Sequence, residues 1–425
     1  MRKVWYNEQK EKIIDKYTNT IINQYPSLIN ELNDNTILLT YDKFLSEFNY
    51  LVTCFTKDWE EIRLRGKFIN IQNENDIPIS KWYYSLNLEK QTNIIISLFQ
   101  DTNNYNEDIH NLFDISLTIL KHDLEKNELK YIITYDFSLN TNIQIELNLP
   151  AGNYIIYPRT TGCFFNELLF NINNSNNNGN KVIYDLESKQ FSKIFINTIK
   201  DIFKKYDIYL NNYLNYEEFN NFYKCIKNKS LSEKEYNINI VSKYQSYNKS
   251  ITEKGFINFF KNKYLEENGK KEIKTWLKNL GYTENFFSLK EKSFIITFHS
   301  DNPIKVKLCE SLCVDLPIKI EKIILKNNGE IIKKKDKVLV IRYKSKNHNF
   351  FTYGVINNDN ITLRISLSFK ENDNIIFNEN KSFIDKIVKP GKYEFYVNLF
   401  YLNNDINSND CNFDFDFNLN YFNIQ

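Results

Sequence analysis

The stretch from residue 59 to residue 158 consists of short apolar runs separated by polar turns, and this pattern most constrains the fold. Residues 143–149 alternate apolar and polar side chains, which is the period of a strand with one buried face. A Pro-Ala-Gly turn follows at residues 150–152. Because a second sheet has to cover the apolar face of each strand, the series predicts a β-sandwich. Its other runs are at residues 81–88, 92–98, 114–120, 131–137 and 154–157.

The apolar spacing changes twice further along the chain. Between residues 186 and 282 it is helical, as in Phe219, Phe222 and Ile226. From residue 293 to the end it returns to a period of two, which predicts a second β-sandwich. The strands expected there are at residues 294–298, 304–308, 319–325, 338–343, 350–356 and 361–369.

The predicted fold class is therefore multidomain α+β, with two antiparallel β-sandwiches separated by a helical pair. An Asn-rich stretch that cannot bury apolar surface is expected to be a linker. The predicted divisions are a helical segment (1–50), the first sandwich (51–170), the linker (171–185), the helical pair (186–285) and the second sandwich (286–425).

The first of these regions resembles a known family. Trp59 to Phe68, Ser80 to Tyr83 and the turn Leu149 to Tyr154 are similar to strands of the β-sandwich that follows the protease core of calpains, the calcium-dependent cysteine proteases. Residues 38–48 resemble the segment that ends the calpain catalytic region. The resemblance covers roughly residues 1–165 and implies a regulatory β-sandwich by analogy of fold.

A partial EF-hand calcium loop is predicted between two helices at residues 207–218. Such a loop needs oxygen ligands at its first, third and fifth positions, a turn residue at the sixth and a bidentate Glu at the twelfth. Asn212 replaces the usual Gly, and Tyr209 has no carboxylate or amide to offer. The candidate ligands are Asp207, Asn211, Tyr213, Asn215 and Glu218.

Two interpretations of this loop stay open. With two carboxylates among its ligands it would bind calcium weakly, and the favoured interpretation is a metal-free structural hand. A second hand is expected over residues 250–282, where no loop has ligands at the required spacing. No other cofactor is expected.

The catalytic motifs of a calpain are missing from this chain. Such a protease needs a thiolate nucleophile, a His base and an Asn that orients the His. The chain has six Cys and four His, but none lies in a Gly-x-Cys-Trp or Gly-His-Ala-Tyr setting, and Asn-Pro-Trp-Gly is absent. We therefore expect no enzyme activity and no catalytic residues.

Composition limits the partners. Formal net charge is +2, so neither nucleic acid nor an acidic membrane surface is implied. Arg63, Arg65 and Lys67 alternate along one predicted strand and share a face. We expect that face to be solvated, with an acidic partner or a phospholipid headgroup as the alternative. No apolar run reaches the ~18 residues of a transmembrane helix. A cytoplasmic protein is expected, with association with the cytoskeleton as an alternative.

The favoured function is a non-catalytic, calpain-like regulatory or scaffolding protein that binds protein partners, with at most weak calcium responsiveness. One alternative is the regulatory half of a calpain-type protease whose catalytic half is on another chain. Another is a structural component of a cytoskeletal or ciliary assembly. Burial of the apolar residues in segment 1–50 within this chain would favour an independent protein over a separated protease half.

Overall fold

A computed structural model of the chain divides into two units, Met1–Asp58 and Trp59–Gln425. The predicted helical segment 1–50 and most of the predicted linker 171–185 lie outside the described residues. Described are residues 58–69, 79–100, 112–165, 183–185, 190–283, 286, 291–311, 316–335, 337–346, 349–369, 375–377, 383–389, 391–401 and 415–421.

These residues form a mixed α and β structure with antiparallel sheets, which confirms the expected class at that level. The strands of its first half are β1 (Glu60–Ile69), β2 (Ile79–Ser80), β3 (Trp82–Leu88), β4 (Thr92–Gln100), β5 (Ile115–Asp123), β6 (Glu128–Ser138), β7 (Asn142–Leu149), β8 (Gly152–Arg159), β9 (Tyr184–Asp185), β10 (Gln190–Phe191), β11 (Tyr213–Leu214), β12 (Ser246–Tyr247) and β13 (Ser250–Thr252).

The remaining strands are β14 (Glu291–Ser300), β15 (Lys305–Glu310), β16 (Glu330–Lys335), β17 (Val338–Lys344), β18 (Phe350–Asn357), β19 (Leu363–Phe369), β20 (Ile375–Phe377), β21 (Phe383–Val388), β22 (Tyr393–Tyr401) and β23 (Phe415–Tyr421). The helices of the described ranges are α1 (Lys193–Tyr206), α2 (Tyr216–Lys227), α3 (Glu233–Tyr236), α4 (Glu253–Tyr264), α5 (Gly269–Asn279) and α6 (Leu316–Asn328). None of these helices is both long and apolar enough to cross a membrane.

Two five-stranded sheets enclose the first hydrophobic core. Their strand orders are β2-β1-β14-β4-β7 and β15-β3-β8-β5-β6. Phe68, Ile96 and Phe294 from the first sheet and Tyr84 and Ile119 from the second are fully buried in this core. Alternating residues of each strand point to one face, so the period-two runs of the sequence account for the core.

The placement of β14 and β15 differs from the predicted domain division. β14 lies between β1 and β4, and β15 pairs with β3, whereas the prediction assigned everything after residue 286 to a second sandwich. Gly66 fits this pairing, because a Cβ there would lie 2.2 Å from Cε2 of its register partner Phe294. Alternation identifies a strand but not its partner strand, so the sequence could not show that the helical region interrupts these two sheets.

The strand predicted at residues 319–325 is wrong, because this segment lies within helix α6. Leu316, Ile320 and Ile324 are four residues apart and pack together on the outer face of the second sheet. That spacing is helical, but the short run of Ile residues obscured it. The helix is held against the sheet by an ion pair of 2.7 Å between Arg159 and Glu321.

Helix α6 also contacts strands β17 and β22 in the sheets that follow it. Those sheets have the orders β16-β17-β18-β22-β20 and β21-β19-β23. Leu325 from α6 joins Ile341, Phe350 and Phe400 in one buried cluster, together with Phe137 from β6. The division of the chain into two sandwiches stays a prediction.

The helical region has its own aromatic core. Phe203, Phe219, Phe222, Phe256 and Phe260 are all buried there, and they come from helices α1, α2 and α4. A three-stranded sheet of order β11-β13-β12 joins the loops between these helices. The region is therefore a pair of helix-loop-helix units linked through short strands.

Candidate functional site

The predicted calcium loop lies between helices α1 and α2. Helix α1 ends at Tyr206, and the amide of Asp207 closes it by donating to the carbonyl of Phe203 at 3.0 Å. Helix α2 begins after Asn215, whose side chain accepts from the amide of Glu218 at 3.0 Å. Both predicted helices and the loop boundaries are therefore present at this position.

The Asp207 carboxylate is occupied by amides of its own loop. Its Oδ1 accepts from the amide of Asn211 and its Oδ2 from the amide of Asn212, each at 3.0 Å. Asn212 has φ of 64°, a left-handed conformation that Asn adopts more readily than most residues. The replacement of Gly by Asn at this position is therefore compatible with the turn.

The fully buried Glu218 carboxylate joins the two ends of the loop. Its Oε1 accepts from the amides of Ile208 at 2.8 Å and Tyr209 at 3.2 Å. Its Oε2 accepts from the amide of Asn215 at 2.9 Å, which completes a capping box at the start of α2. Three backbone donors are thus satisfied by one side chain.

Burial raises the pKa of both carboxyl groups. The pKa of Glu218 rises from 4.5 to about 7, because removal from water disfavours the charged form and the Asp207 carboxylate adds repulsion. Hydrogen bonds from the amides of Asn215, Tyr209 and Ile208 act in the opposite direction. Burial also raises the pKa of Asp207, against hydrogen bonds from the amides of Asn212 and Asn211.

The other candidate ligands also have partners, in this loop or beside it. The side-chain oxygen of Asn211 accepts from the amide of Tyr213 at 2.9 Å. Tyr213 belongs to β11, and its ring stacks on Tyr247 with centroids 5.2 Å apart. Tyr209 is 47% exposed and offers no carboxylate or amide at the third position.

This donor set does not fit a calcium ion. Calcium takes 6–8 oxygen ligands, and the carboxylate and amide oxygens available here already accept backbone hydrogens. A cation would have to displace the three amides that Glu218 holds. Within the described ranges, no group of three or more His, Cys, Asp or Glu side chains could hold a metal ion.

The structure shows a second loop whose strand pairs with that of the first loop, and sequence reasoning did not find it. Leu214 and Ile251 lie opposite each other where β11 pairs with β13, and both are fully buried. Tyr244 precedes Ile251 by the same seven residues that separate Asp207 from Leu214. The second loop therefore runs over residues 244–255, and it has left-handed residues at Asn248 and Lys249.

Backbone fills the position where the second loop would need a Glu. Gly255 corresponds to Glu218, four residues after the paired strand residue. A Cβ on Gly255 would lie 2.1 Å from the carbonyl oxygen of Gln245, so no larger residue fits. The helix that follows is capped by Thr252, whose side chain accepts from the amide of Gly255 at 3.1 Å. The motif Ser-Ile-Thr-x-x-Gly at residues 250–255 was the sequence pattern that could have located this loop and the start of its helix.

The first loop is joined directly to β1. The amide of Arg65 donates to the carbonyl of Ile208 at 2.7 Å, and its guanidinium donates to the carbonyl of Lys204. The Ile208 side chain is buried in the core between the two five-stranded sheets. The loop thus connects the helical region to the sheets in two ways, by hydrogen bonds to β1 and by a side chain in the hydrophobic core of the sheets.

The expectation that Arg65 and Lys67 lie on a solvated face is wrong. Lys67 is 1% exposed, and its ammonium group lies 2.8 Å from Glu291 and 4.5 Å from the ring centre of Tyr206. Arg65 is also buried, whereas Arg63 is exposed. The helical region covers this face, which no local pattern of the strand could indicate.

The histidines and cysteines in the described ranges form no recognisable nucleophile and base. Nε2 of His299 lies 3.7 Å from Glu61, and Nε2 of His122 lies 3.4 Å from Asn127. Cys163, Cys225 and Cys309 are free thiols, of which Cys163 is buried. The other cysteines and histidines are outside the described residues, namely Cys54, Cys313, Cys411, His110 and His348.

Comparison with known proteins adds no identification. The chain matches no protein-family model and no curated protein.

Proposed function

We propose that this chain is a non-catalytic regulatory or scaffolding protein with a calpain-like β-sandwich, and that its hand pair is a structural element that needs no metal. The observation that carries the proposal is the buried Glu218 carboxylate, which holds three backbone amides in the position of a calcium ligand. A loop closed in this way has a defined shape without a cation. The resemblance of residues 59–158 to a calpain sandwich and the missing catalytic motifs support the same proposal.

A scaffold has to hold its parts in a fixed orientation. Contacts of the first loop with the sheets do so for the helical region. Ile208 inserts into the core of the sheets, while Lys67 and Glu291 form a mostly buried ion pair beneath α1. Binding surfaces on the sheets and on the helices would then be presented together. Such a combined surface would suit the binding of other proteins.

The decisive experiment is a calcium titration of the purified full-length chain by calorimetry, with thermal unfolding and hydrolysis of a fluorogenic peptide measured in parallel. We expect no saturable heat and no change in melting temperature up to millimolar calcium, and no hydrolysis. Saturable binding that Glu218→Gln abolishes would make the loop a calcium sensor and overturn the metal-independent role. Peptide hydrolysis that copurifies with the chain and disappears in a Cys variant would overturn the non-catalytic role.

Partner binding needs its own measurement. In size-exclusion chromatography of native extracts, we expect the chain to elute in a complex above its own mass of 51.0 kDa and to remain there after chelation of calcium. Mass spectrometry of that fraction would identify the partner, and a calpain-like catalytic chain or cytoskeletal proteins are the alternatives that it distinguishes. Elution at the monomer mass under all conditions would contradict a scaffolding role.

A further inference from the structure

A cavity of about 490 Å³ lies between helix α6 and the sheet that contains β16, β17 and β18. Its apolar wall consists of Leu325, Leu339, Ile341 and Ile356, and Ile331 stands at its edge with 60% of its surface exposed. Its size lies in the range of roughly 300–1,000 Å³ that is typical of small-molecule sites, and polar residues line it to about the same extent as apolar ones. The helix covers one part of the sheet face and leaves this part open.

Two lysines line this cavity, and a third lies near them. Lys322 and Lys326 line it from adjacent turns of α6, and Lys392 follows Gly391, which also lines it. Burial and the nearby charges of Lys326 and Lys392 hold the pKa of Lys322 below its ordinary value. Three positive charges therefore lie close together at the opening of the cavity. Their mutual repulsion would be reduced by a bound anion.

The carboxylates of this neighbourhood are engaged elsewhere. Glu321 pairs with Arg159 at 2.7 Å, and the Glu330 carboxylate accepts from the guanidinium of Arg342, also at 2.7 Å. Asp359 lies 4.0 Å from Lys337. Across the ranges that the structure describes, no carboxylate lies within ion-pair distance of the three rim lysines. The rim thus has positive charge without a compensating acid.

We propose that this cavity binds a small amphipathic carboxylate, with its apolar chain against the Ile and Leu wall and its carboxylate at the three lysines. Burial of the chain provides the attraction, because apolar surface leaves water on both partners. The ammonium groups orient the ligand through charge-assisted hydrogen bonds. This site is separate from the hand pair and does not depend on the function proposed for it.

The test uses decanoate as the charged probe and decanol as its uncharged counterpart, with full-length chain and isothermal titration calorimetry below the aggregation concentration of either. The site variant is Lys322→Gln/Lys326→Gln/Lys392→Gln. Its matched control removes three exposed lysines of helix α5, as Lys270→Gln/Lys271→Gln/Lys274→Gln. Circular dichroism and thermal unfolding establish that both variants are folded.

We expect saturable binding of one decanoate per chain, and binding of decanol at least roughly tenfold weaker. The site variant should lose about tenfold or more in decanoate affinity, while the control binds as wild type does. Ile331→Glu should also weaken binding, because its carboxylate would compete for the same lysines. If the site variant does not fold, Ile331→Glu alone provides the test, since Ile331 is largely exposed.

Absence of saturable decanoate binding would overturn the proposal, and so would equal affinity for decanoate and decanol. Unchanged affinity in the site variant would have the same consequence. Vesicles of phosphatidylserine provide a second arm. Cosedimentation with vesicles that the site variant abolishes, without binding of monomeric decanoate, would show a membrane surface site in place of the proposed cavity ligand.

Discussion

The amide of Arg65 in strand β1 donates a hydrogen bond of 2.7 Å to the carbonyl of Ile208 in the first hand loop. The Ile208 side chain continues from this bond into the core between the five-stranded sheets. A residue of the helical region therefore serves as a core residue of the sheets. The two parts should unfold together, because loss of the loop would open a cavity in the core of its neighbour.

The first prediction concerns this junction. Ile208→Ala should lower the free energy of unfolding by about 2–5 kcal/mol, because it removes a buried side chain from a packed core. Tyr209→Ala, at the exposed neighbouring position, should change it by about 0.5 kcal/mol or less. Urea unfolding monitored by circular dichroism measures both. Equal effects of the two substitutions would contradict the junction.

The second prediction is a pH dependence that comes from Glu218. The pKa of Glu218 is about 7 in the folded chain, whereas the ordinary value of 4.5 applies to the unfolded chain. The folded state thus binds more protons between these values, and stability should fall as pH rises from 4.5 to 7, by up to about 1.4 kcal/mol per pH unit. Asp207 acts in the same direction, since burial raises its pKa as well.

Glu218→Gln isolates this contribution. The variant has no titrating group at position 218, so the difference in unfolding free energy between wild type and variant should change with pH over that interval. At pH 8 the free energy of unfolding of the variant should also be lower by up to about 3 kcal/mol. The reason is that the side-chain NH₂ group of the introduced Gln would face the backbone N–H of Asn215, which in the wild type donates to the carboxylate. Parallel stability profiles of the two proteins would refute the raised pKa.

The third prediction concerns the link between the two hand loops. The buried Tyr236 hydroxyl donates to the carbonyl of Leu214 at 2.7 Å and accepts from the amide of Ile251 at 3.3 Å. Tyr236→Phe leaves both backbone groups without this partner and should cost about 1–3 kcal/mol. Tyr247→Phe is the control, because Tyr247 is 63% exposed. Hydrogen exchange should show faster exchange at Ile251 in the first variant and wild-type exchange in the second.

Sequence reasoning succeeded where a feature depends on neighbouring residues. The alternation of residues 143–149 predicted β7, and the spacing of Asp207 and Glu218 located the loop and its flanking helices. Periodicity and loop spacing are local properties, so no tertiary information was needed for either. The metal-free loop was the favoured interpretation of the sequence and stays a prediction, whereas the three backbone amides that donate to Glu218 could not be foreseen from the sequence.

The features that sequence reasoning missed depend on distant contacts. β14 pairs with β1 and β4 across the whole helical region, and nothing in its own residues indicates those partners. Lys67 was expected in solvent because charged residues usually are, yet α1 covers it. The second hand loop was missed since it has no ligand residues, and its geometry is set by the pairing of Ile251 with Leu214.

The fourth prediction tests the closed geometry of that second loop. Gly255→Ala places a Cβ 2.1 Å from the carbonyl oxygen of Gln245, and the loop backbone has to move to accommodate it. We expect a loss of roughly 1–3 kcal/mol in the free energy of unfolding. The exposed helical position Lys254 is the matched control, because Lys254→Ala adds no contact. An unchanged melting temperature for Gly255→Ala would mean that the loop is more open than its geometry indicates.

The fifth prediction uses two ion pairs that start from the same strand. Lys67 and Glu291 are mostly buried at 2.8 Å, whereas Arg63 and Glu61 are exposed. Lys67→Met should cost about 3–5 kcal/mol because it removes the buried cation that lies 2.8 Å from the Glu291 carboxylate, and Arg63→Met should cost about 1 kcal/mol or less. Although burial opposes ionisation, Lys67 and Lys205 keep the pKa of Glu291 below 4.5. The contribution of this pair is therefore present above pH 4.5 and lost as pH falls below it.

The double variant Lys67→Met/Glu291→Gln should recover part of the loss at neutral pH, since neither buried charge remains. A double variant as unstable as Lys67→Met alone would show that packing of the lysine chain, rather than its charge, holds the helical region against β1.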